Sequence, residues 1–239
     1  MIPFLRSLLF HLYFTVLSVT MNIGGLPLLL LPRRYTMRAG QAWAQAVLFG
    51  LKLTAGLGYE IRGKIPSGPV LIAAKHFTMW ETVAVQAIFA DPAVVIKREL
   101  LNVPFYGWYC RKMRMIAIDR NAHMKALRQL LRDAKDAAAL NRPIIIFPEG
   151  TRRNLGAPPD YKPGVAALYT GLHLPCVPVA LNANLYWEGF LRKPGTVVME
   201  FLDPIPPGLK RDEFMAQLQA RIETATNRLV AEGAAKLAT

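Results

Sequence analysis

Short apolar runs rich in branched residues alternate with helical stretches throughout the sequence after Gly58. Apolar spacing between these runs predicts helices around residues 124–134 and 214–229. The predicted strands are Tyr59 to Arg62, Val70 to Ala74, Ala93 to Lys97, Met113 to Ile118, Pro143 to Phe147, Val177 to Leu181 and Thr196 to Phe201. Because parallel strands need a crossover, usually a helix, this alternation favours an α/β fold with a mixed, mostly parallel sheet flanked by helices.

The beginning of the chain has a different composition. From Ser7 to Leu31 there is no Asp, Glu, Lys or Arg, and this stretch exceeds the roughly 20 apolar residues that span a bilayer core. Gly24, Gly25 and Pro27 interrupt it, so a helix of about 17 residues followed by a break is an alternative to a full span. Apolar residues on one face of the segment 41–58 predict a second helix, of the interfacial type.

Three arginines lie between these two helices. Arg33, Arg34 and Arg38 are placed to meet anionic lipid headgroups, which favours a helical hairpin sunk into one leaflet, with a single-pass anchor as the alternative. A cleavable signal peptide is a third possibility, because Arg6 precedes the apolar run, although no clear small-x-small cleavage site follows it. We therefore divide the chain into a membrane-associated helical segment, residues 1–58, and an α/β domain, residues 59–239.

The charge balance limits the classes of partner that the protein is expected to bind. Lys and Arg number 29 against 16 Asp and Glu, a formal net charge of +13, which suits nucleic acid, an anionic bilayer or phosphorylated substrates. The apolar beginning favours a membrane, and the absence of a recognisable nucleic-acid motif argues against a nucleic-acid partner. Cys110 and Cys176 lie in no Cys/His spacing that would bind zinc, so no metal site and no disulfide framework are predicted, and a reducing compartment fits.

The segment from Lys75 to Glu81 follows an apolar strand and opens a helix. A histidine can take a proton from a hydroxyl near neutral pH, and a carboxylate can fix its tautomer. On a continuous helix His76 and Glu81 would point about 140° apart, so the pair meets only if His76 lies on the loop. The alternative for Glu81 is a capping box beginning at Thr78, and His76 alone could be a structural histidine.

A second polar segment runs from the apolar strand Ile144 to Phe147 into a turn with a carboxylate and two guanidinium groups. Arginine offers planar, bidentate donors to phosphate oxygens, and Gly150 lets the backbone approach a ligand closely. The turn therefore predicts an anion-binding site at a strand end, with a solvated charged loop as the alternative.

Four ordered segments together resemble the motifs of the glycerolipid acyltransferase family, whose best-known member is 1-acylglycerol-3-phosphate acyltransferase. The likeness covers roughly Tyr59 to Phe201. In chain order the segments are His76-x4-Glu81, Lys97-Arg98-Glu99-Leu100 with Ile118-Asp119-Arg120, Phe147-Pro148-Glu149-Gly150-Thr151-Arg152, and Val177-Pro178-Val179-Ala180.

The resemblance implies residue roles. His76 is expected to be the general base and Glu81 its orienting partner. The substrate-binding residues that it implies, around the acceptor and its phosphate, are Lys97, Arg120, Glu149, Gly150, Thr151 and Arg152. For Lys97, a solvated residue at a strand end is an equal alternative.

Two residues depart from the family pattern. The first motif commonly ends in Asp where this chain has Glu81, and Asn is frequent where this chain has Lys75. A glutamate is one methylene longer, so its contact with the histidine can form at a different angle. The substrate class is therefore less defined than the reaction type.

The resemblance also implies an activity. A fatty acyl group would pass from a thioester of acyl carrier protein or coenzyme A to a lysophospholipid, most of all 1-acylglycerol-3-phosphate, without a metal or other cofactor. The implied place is the cytoplasmic side of the inner membrane, in contact with membrane lipids. Another acceptor, such as a lyso-ornithine lipid, and an inactive lipid-binding protein are alternatives. A lipid hydrolase is less favoured, because the sequence has no G-x-S-x-G nucleophile elbow.

Overall fold

The computed structural model describes residues 2–119 and 123–238. Its strands in chain order are β1 (Leu57–Arg62), β2 (Leu71–Ala74), β3 (Ala93–Lys97), β4 (Ile116–Ile118), β5 (Ile144–Ile146), β6 (Cys176–Leu181), β7 (Trp187–Glu188), β8 (Leu191–Arg192) and β9 (Gly195–Phe201). Strands β7 and β8 form a separate hairpin, and the other seven form one sheet in the order β1-β9-β6-β2-β5-β3-β4.

The seven predicted strands are confirmed, and so is the mixed, mostly parallel sheet. Only the β6–β9 pairing is antiparallel among the described pairings of this sheet. Strand β4 begins three residues later than predicted, since Met113 and Arg114 form a turn, and the positive φ of 54° at Arg114 is incompatible with a strand.

The helices in chain order are α1 (Ile2–Gly24), α2 (Arg33–Ala55), α3 (Trp80–Ile88), α4 (Tyr106–Lys112), α5 (His123–Ala139), α6 (Pro163–Leu172) and α7 (Arg211–Ala238). Alternate residues of β2 point to opposite faces of the sheet. Ile72 and Ala74 pack in a core with α2 and α3, whereas Leu71 and Ala73 pack in a second core with α5, α6 and α7. The predicted cover of helices on both faces is therefore confirmed.

Helices α1 and α2 pack against each other as a hairpin. The helix break predicted at the glycines is present: α1 ends at Gly24, and a short 3-10 turn over Leu26–Leu29 leads on to α2. The Trp43 indole donates to the Ser18 hydroxyl at 3.1 Å, and a Cβ at Gly50 would lie 1.9 Å from the Tyr13 ring. Glycine therefore permits the close approach of the two helices.

Helix α1 has an exposed apolar face. It is long and apolar enough to cross a membrane, and little of it is buried. Its opposite side is anchored in the protein, where Phe10 is 1% exposed. The large apolar residues exposed on α1 are Phe4, Leu5, Leu8, Leu9, Leu12, Val16, Val19 and Ile23. This face supports association with a membrane.

Helix α2 differs from the prediction of an interfacial helix. It begins earlier, at Arg33, and its residues Val47, Leu48 and Leu51 are buried in the core beneath the sheet. Helical spacing shows that one face is apolar but does not show what covers it. Buried residues on both sides of residue 58 belong to one core. The division of the chain at this residue therefore remains a prediction about which part of the chain contacts the membrane.

Arg33 is also not a free headgroup ligand. Its guanidinium donates two hydrogen bonds of 2.6 Å to the carboxylate of Asp91, while Arg34 and Arg38 remain exposed. All three arginines lie within the first two turns of α2 instead of between the helices, and two of them are available to anionic lipid.

Candidate active site

Four adjacent strands bring the predicted motifs to one edge of the sheet. Strands β2, β5, β3 and β4 are neighbours and run parallel, so their carboxyl ends lie together, with neighbouring strands about 4.8 Å apart. His76 follows β2, Phe147 follows β5, Lys97 ends β3 and Asp119 follows β4. Binding sites in such sheets gather at this edge.

His76 and Glu81 are in contact. The imidazole Nδ1 lies 2.8 Å from Glu81 Oε1. His76 is on the loop between β2 and α3, and Glu81 is in the first turn of α3. The loop removes the angular separation that a continuous helix would impose. The sequence condition for a histidine–carboxylate pair is therefore met.

The same carboxylate also caps α3. Glu81 Oε1 accepts the backbone N–H groups of Phe77 and Thr78, each at 2.6 Å, and Oε2 accepts the Thr78 hydroxyl at 2.7 Å. The Thr78 hydroxyl in turn accepts the Trp80 N–H at 3.0 Å. The fully buried Glu81 carboxylate therefore contacts both the histidine and the donors at the beginning of the helix, so the two interpretations of Glu81 are compatible with each other.

These contacts assign different roles to the two ring nitrogens of His76. An ionised carboxylate only accepts hydrogen bonds, so Nδ1 carries the hydrogen and Nε2 is the nitrogen that can act as a base. The ring stacks on Phe147, with centroids 4.2 Å apart and planes inclined by 23°. The side chain is 13% exposed, so the imidazole is held in place yet accessible.

A backbone hydrogen bond ties the two motif segments together. The N–H of Arg153 donates to the His76 carbonyl at 3.0 Å. The turn after β5 is therefore fixed against the histidine loop. Thr151 and Arg152 are exposed on this turn, and Gly150 has a φ of 67°, a left-handed conformation that favours glycine.

Glu149 is buried, unlike Thr151 and Arg152 of the same turn. It is 1% exposed, and Oε1 accepts a hydrogen bond of 2.9 Å from the Lys75 ammonium. Burial raises the pKa of Glu149, while Lys75 acts in the opposite direction. The structure thus brings Thr151 and Arg152 to the exposed side of the turn and places the Glu149 carboxylate inside the protein.

The second motif borders a polar cleft. Lys97 is exposed at the end of β3, and Arg98 and Asp119 approach to 3.5 Å. The cleft has a volume of about 430 Å³ and is lined by Arg98, Glu99, Leu101, Asn102, Arg111 and Asp119. Arg120, predicted to bind phosphate, lies outside the described residues. The fourth motif, within β6, is buried and contributes packing.

The cysteines are poor candidates for a nucleophile. Both are free and buried, and burial raises the pKa of Cys110 to about 11 and also raises that of Cys176. A thiol is reactive as its thiolate, which these environments disfavour. Within residues 2–119 and 123–238, no group of three or more Cys, His, Asp or Glu side chains could hold a metal ion.

The sequence did not predict Glu223 at this edge, and it marked Tyr161 only as part of the segment Tyr161-Lys162-Pro163-Gly164, which resembles the one that follows the third family motif. Glu223, on α7, bonds the Lys75 ammonium at 2.8 Å, and the Tyr161 hydroxyl donates to Glu223 at 2.9 Å. Lys75 was noticed only as a departure from the family pattern. A lysine directly after a buried strand signals the need for a buried partner, but nothing in the local sequence identifies that partner as Glu223.

Comparisons with known proteins identify a family model and relatives that match this chain. The acyltransferase family model matches residues 58–182, more than half of the chain. The 1-acyl-sn-glycerol-3-phosphate acyltransferase of Pseudomonas aeruginosa is 32% identical over 235 residues, covering 95% of this chain and 91% of that protein. A protein of the same name from Helicobacter pylori is 35% identical over 98 residues, 41% of each chain.

A solved structure has the same fold. The 1-acyl-sn-glycerophosphate (LPA) acyltransferase PlsC from Thermotoga maritima superposes with a TM-score of 0.76, covering 94% of this chain and 96% of that one, at 20% sequence identity. At this identity the likeness concerns the fold, including the mixed sheet and its flanking helices.

Proposed function

This chain belongs to the glycerolipid acyltransferase family, and from this premise we propose that it acylates the free hydroxyl of 1-acylglycerol-3-phosphate to give phosphatidic acid. The names of the bacterial relatives support this choice of acceptor. The observation that carries the proposal is the 2.8 Å contact between His76 Nδ1 and Glu81 Oε1. This contact supports an oriented base at the carboxyl edge of the sheet.

In the proposed reaction, His76 Nε2 takes the proton of the acceptor hydroxyl as the hydroxyl oxygen attacks the thioester carbonyl carbon. Glu81 stabilises the imidazolium that forms. The tetrahedral intermediate then collapses, the carbon–sulfur bond breaks, and the imidazolium returns the proton to the leaving thiolate. An ester and a free thiol result, so the base is regenerated without a covalent acyl-enzyme and without a cofactor.

The acceptor phosphate is assigned to the basic groups of the same edge. The exposed Arg152 lies on the turn that is bonded to the His76 loop, and a guanidinium binds phosphate oxygens bidentately. Lys97 and Arg120 are proposed as further phosphate contacts. Holding the phosphate at a fixed distance from the base converts a two-substrate encounter into a positioned one.

The acyl donor is proposed to be a thioester of acyl carrier protein or of coenzyme A. Both donors present the same thioester carbonyl to the attacking hydroxyl, so the transfer step is identical for either. Assays with the two thioesters at equal acyl-chain length distinguish them by their kcat/KM values.

We place the sheet edge on the cytoplasmic side of the inner membrane. The two buried free cysteines suit a reducing compartment, and the exposed face of α1 supplies the membrane contact. Protease added to sealed inside-out vesicles should cleave the exposed loop around residues 151–160. Cleavage only in right-side-out vesicles would contradict this orientation.

The principal test uses membranes that contain the wild type or His76→Ala, supplied with lysophosphatidic acid and an acyl thioester. Wild type should form phosphatidic acid, and His76→Ala should lose about 10²-fold or more of that activity, as expected for a general base. Equal acylation by both proteins would eliminate His76 as the base. Release of free fatty acid without product would instead indicate a hydrolase, and no turnover would indicate a lipid-binding protein.

A further inference from the structure

Lys75, Glu149 and Glu223 form an ion cluster next to the candidate base. The Lys75 ammonium lies 2.9 Å from Glu149 Oε1 and 2.8 Å from Glu223 Oε1. Tyr161 completes the cluster by donating its hydroxyl to the same Glu223 oxygen. Lys75 immediately precedes His76, and Glu149 immediately precedes Gly150, so both lie at the carboxyl edge of the sheet.

The cluster is buried unevenly. The side chains of Lys75 and Glu149 are 3% and 0% exposed, whereas Glu223 is 23% exposed. A buried ion is stable only with a partner of opposite charge, so Lys75 and Glu149 depend on each other. Glu149 Oε2 has no hydrogen-bond partner within the described part of the chain, and the paired Oε1 is therefore its main anchor.

Each member belongs to a different element. Lys75 begins the loop that carries His76, Glu149 begins the turn that carries Arg152, Tyr161 precedes α6, and Glu223 lies on α7. One ammonium group thus joins the histidine loop, the following turn and the C-terminal helix. An asparagine at position 75, the residue frequent in the family, would supply no charge for the two carboxylates.

We propose that Lys75 is a positioning residue for the acyl transfer, holding the His76 loop and the Glu149 turn in their relative places through Glu149 and Glu223. The inference rests on the proposed function. It assigns Glu149 to Lys75 instead of to the acceptor substrate. It also extends the site to α7, beyond the residues 58–182 that the family model matches.

The test compares kcat and the KM for lysophosphatidic acid, per amount of folded protein, in Lys75→Met, Glu149→Gln, their double variant and Glu223→Gln. Misplacement of reacting groups by about 1 Å can lower turnover about 10²-fold, so the first two variants should lose about 10- to 100-fold in kcat, with KM changed less than about twofold. The double variant should lose no more than the worse single variant, because both remove the same contact.

Glu223→Gln is included as the variant least disruptive to folding, since the Glu223 side chain is the most exposed of the three. It keeps the Lys75–Glu149 pair and should lower kcat by a smaller factor, about threefold to tenfold. Lys162→Met is the matched control: the Lys162 side chain is 55% exposed and its ammonium bonds Asp160, so kcat should stay at the wild-type value.

A readout without substrate separates this inference from the proposed function. Diethyl pyrocarbonate modification of His76, followed by mass spectrometry, should be faster in Lys75→Met and Glu223→Gln than in wild type, because the loop is less restrained. If the kcat losses of the two single variants multiplied in the double variant, and Glu149→Gln raised the KM for lysophosphatidic acid, Glu149 would be assigned to the acceptor and the proposal would be overturned. Unchanged modification rates in both variants would also overturn it. If wild type acylates no lysolipid, the proposed function fails, and the modification rates still decide the role of Lys75.

Discussion

Replacement of Glu81 by glutamine removes one charge while keeping the shape of the site. Oε1 accepts three hydrogen bonds, from His76, Phe77 and Thr78, and among the residues that the structure describes Oε2 accepts only the Thr78 hydroxyl. In Glu81→Gln the amide oxygen can occupy the Oε1 position. The amide nitrogen then faces the Thr78 hydroxyl, which can rotate to accept a hydrogen bond.

The expected loss follows from the missing charge. The imidazolium formed during transfer and the Glu81 carboxylate are in hydrogen-bond contact, 2.8 Å between Nδ1 and Oε1. Taking the charge centres as about 4 Å apart, with an effective dielectric constant of about 20, their attraction is about 4 kcal/mol. Its removal from the transition state should lower kcat about 10³-fold. The weakened cap should lower the free energy of unfolding by about 1–2 kcal/mol.

The assay measures acyl transfer and thermal unfolding on the same preparations, with Thr78→Val as the matched control. Valine removes the hydroxyl that bonds both Glu81 Oε2 and the Trp80 N–H, so it should lower stability by a similar amount. It leaves the His76–Glu81 contact in place, and kcat should fall less than about tenfold. If Glu81→Gln kept kcat within about threefold of wild type while losing stability, the carboxylate would be a cap alone and our account of the base would be refuted.

Three further predictions concern stability and the membrane. Arg142→Met should lower the free energy of unfolding in urea by about 3–5 kcal/mol, because the buried guanidinium bonds Asp91 and several backbone carbonyls. Burial acts to raise the pKa of Asp91, but Arg33 and Arg142 outweigh it and the net pKa is lowered. The resulting stability is present above the unfolded pKa of about 4 and is lost as pH falls through the lower folded pKa, so acid unfolding below about pH 4 should be less steep in Arg33→Met. Leu12→Asp, on the exposed face of α1, should weaken flotation with anionic vesicles about tenfold without lowering Tm.

The order of elements was predictable because strand and helix periodicities are local. Runs such as Ile144–Ile146 are buried on both faces and read as continuous apolar segments. The β7–β8 hairpin was not predicted, since strands of two residues are too short to show an alternation of apolar and polar residues. The sequence also did not predict that the sheet covers the apolar face of α2, because an apolar stripe on a helix can face lipid or a sheet equally well.

The site was predictable in part because residues that follow parallel strands gather at the carboxyl edge of the sheet. The adjacency of β2 and β5, which brings His76 near the turn after β5, comes from the tertiary structure. The contact of Glu149 with Lys75 was not predictable, because 74 positions separate them in the chain. The contribution of Glu223 depends on how α7 crosses the sheet, which only tertiary packing decides.

The hydrogen bond between the Arg153 N–H and the His76 carbonyl uses main-chain atoms only. The exposed side chains of this turn, Thr151 and Arg152, can therefore be exchanged to suit a different headgroup while this main-chain support of the histidine loop is kept. Proline at position 153 is the exception, because it has no N–H to donate. Recognition and proton transfer can in this way diverge separately within one scaffold.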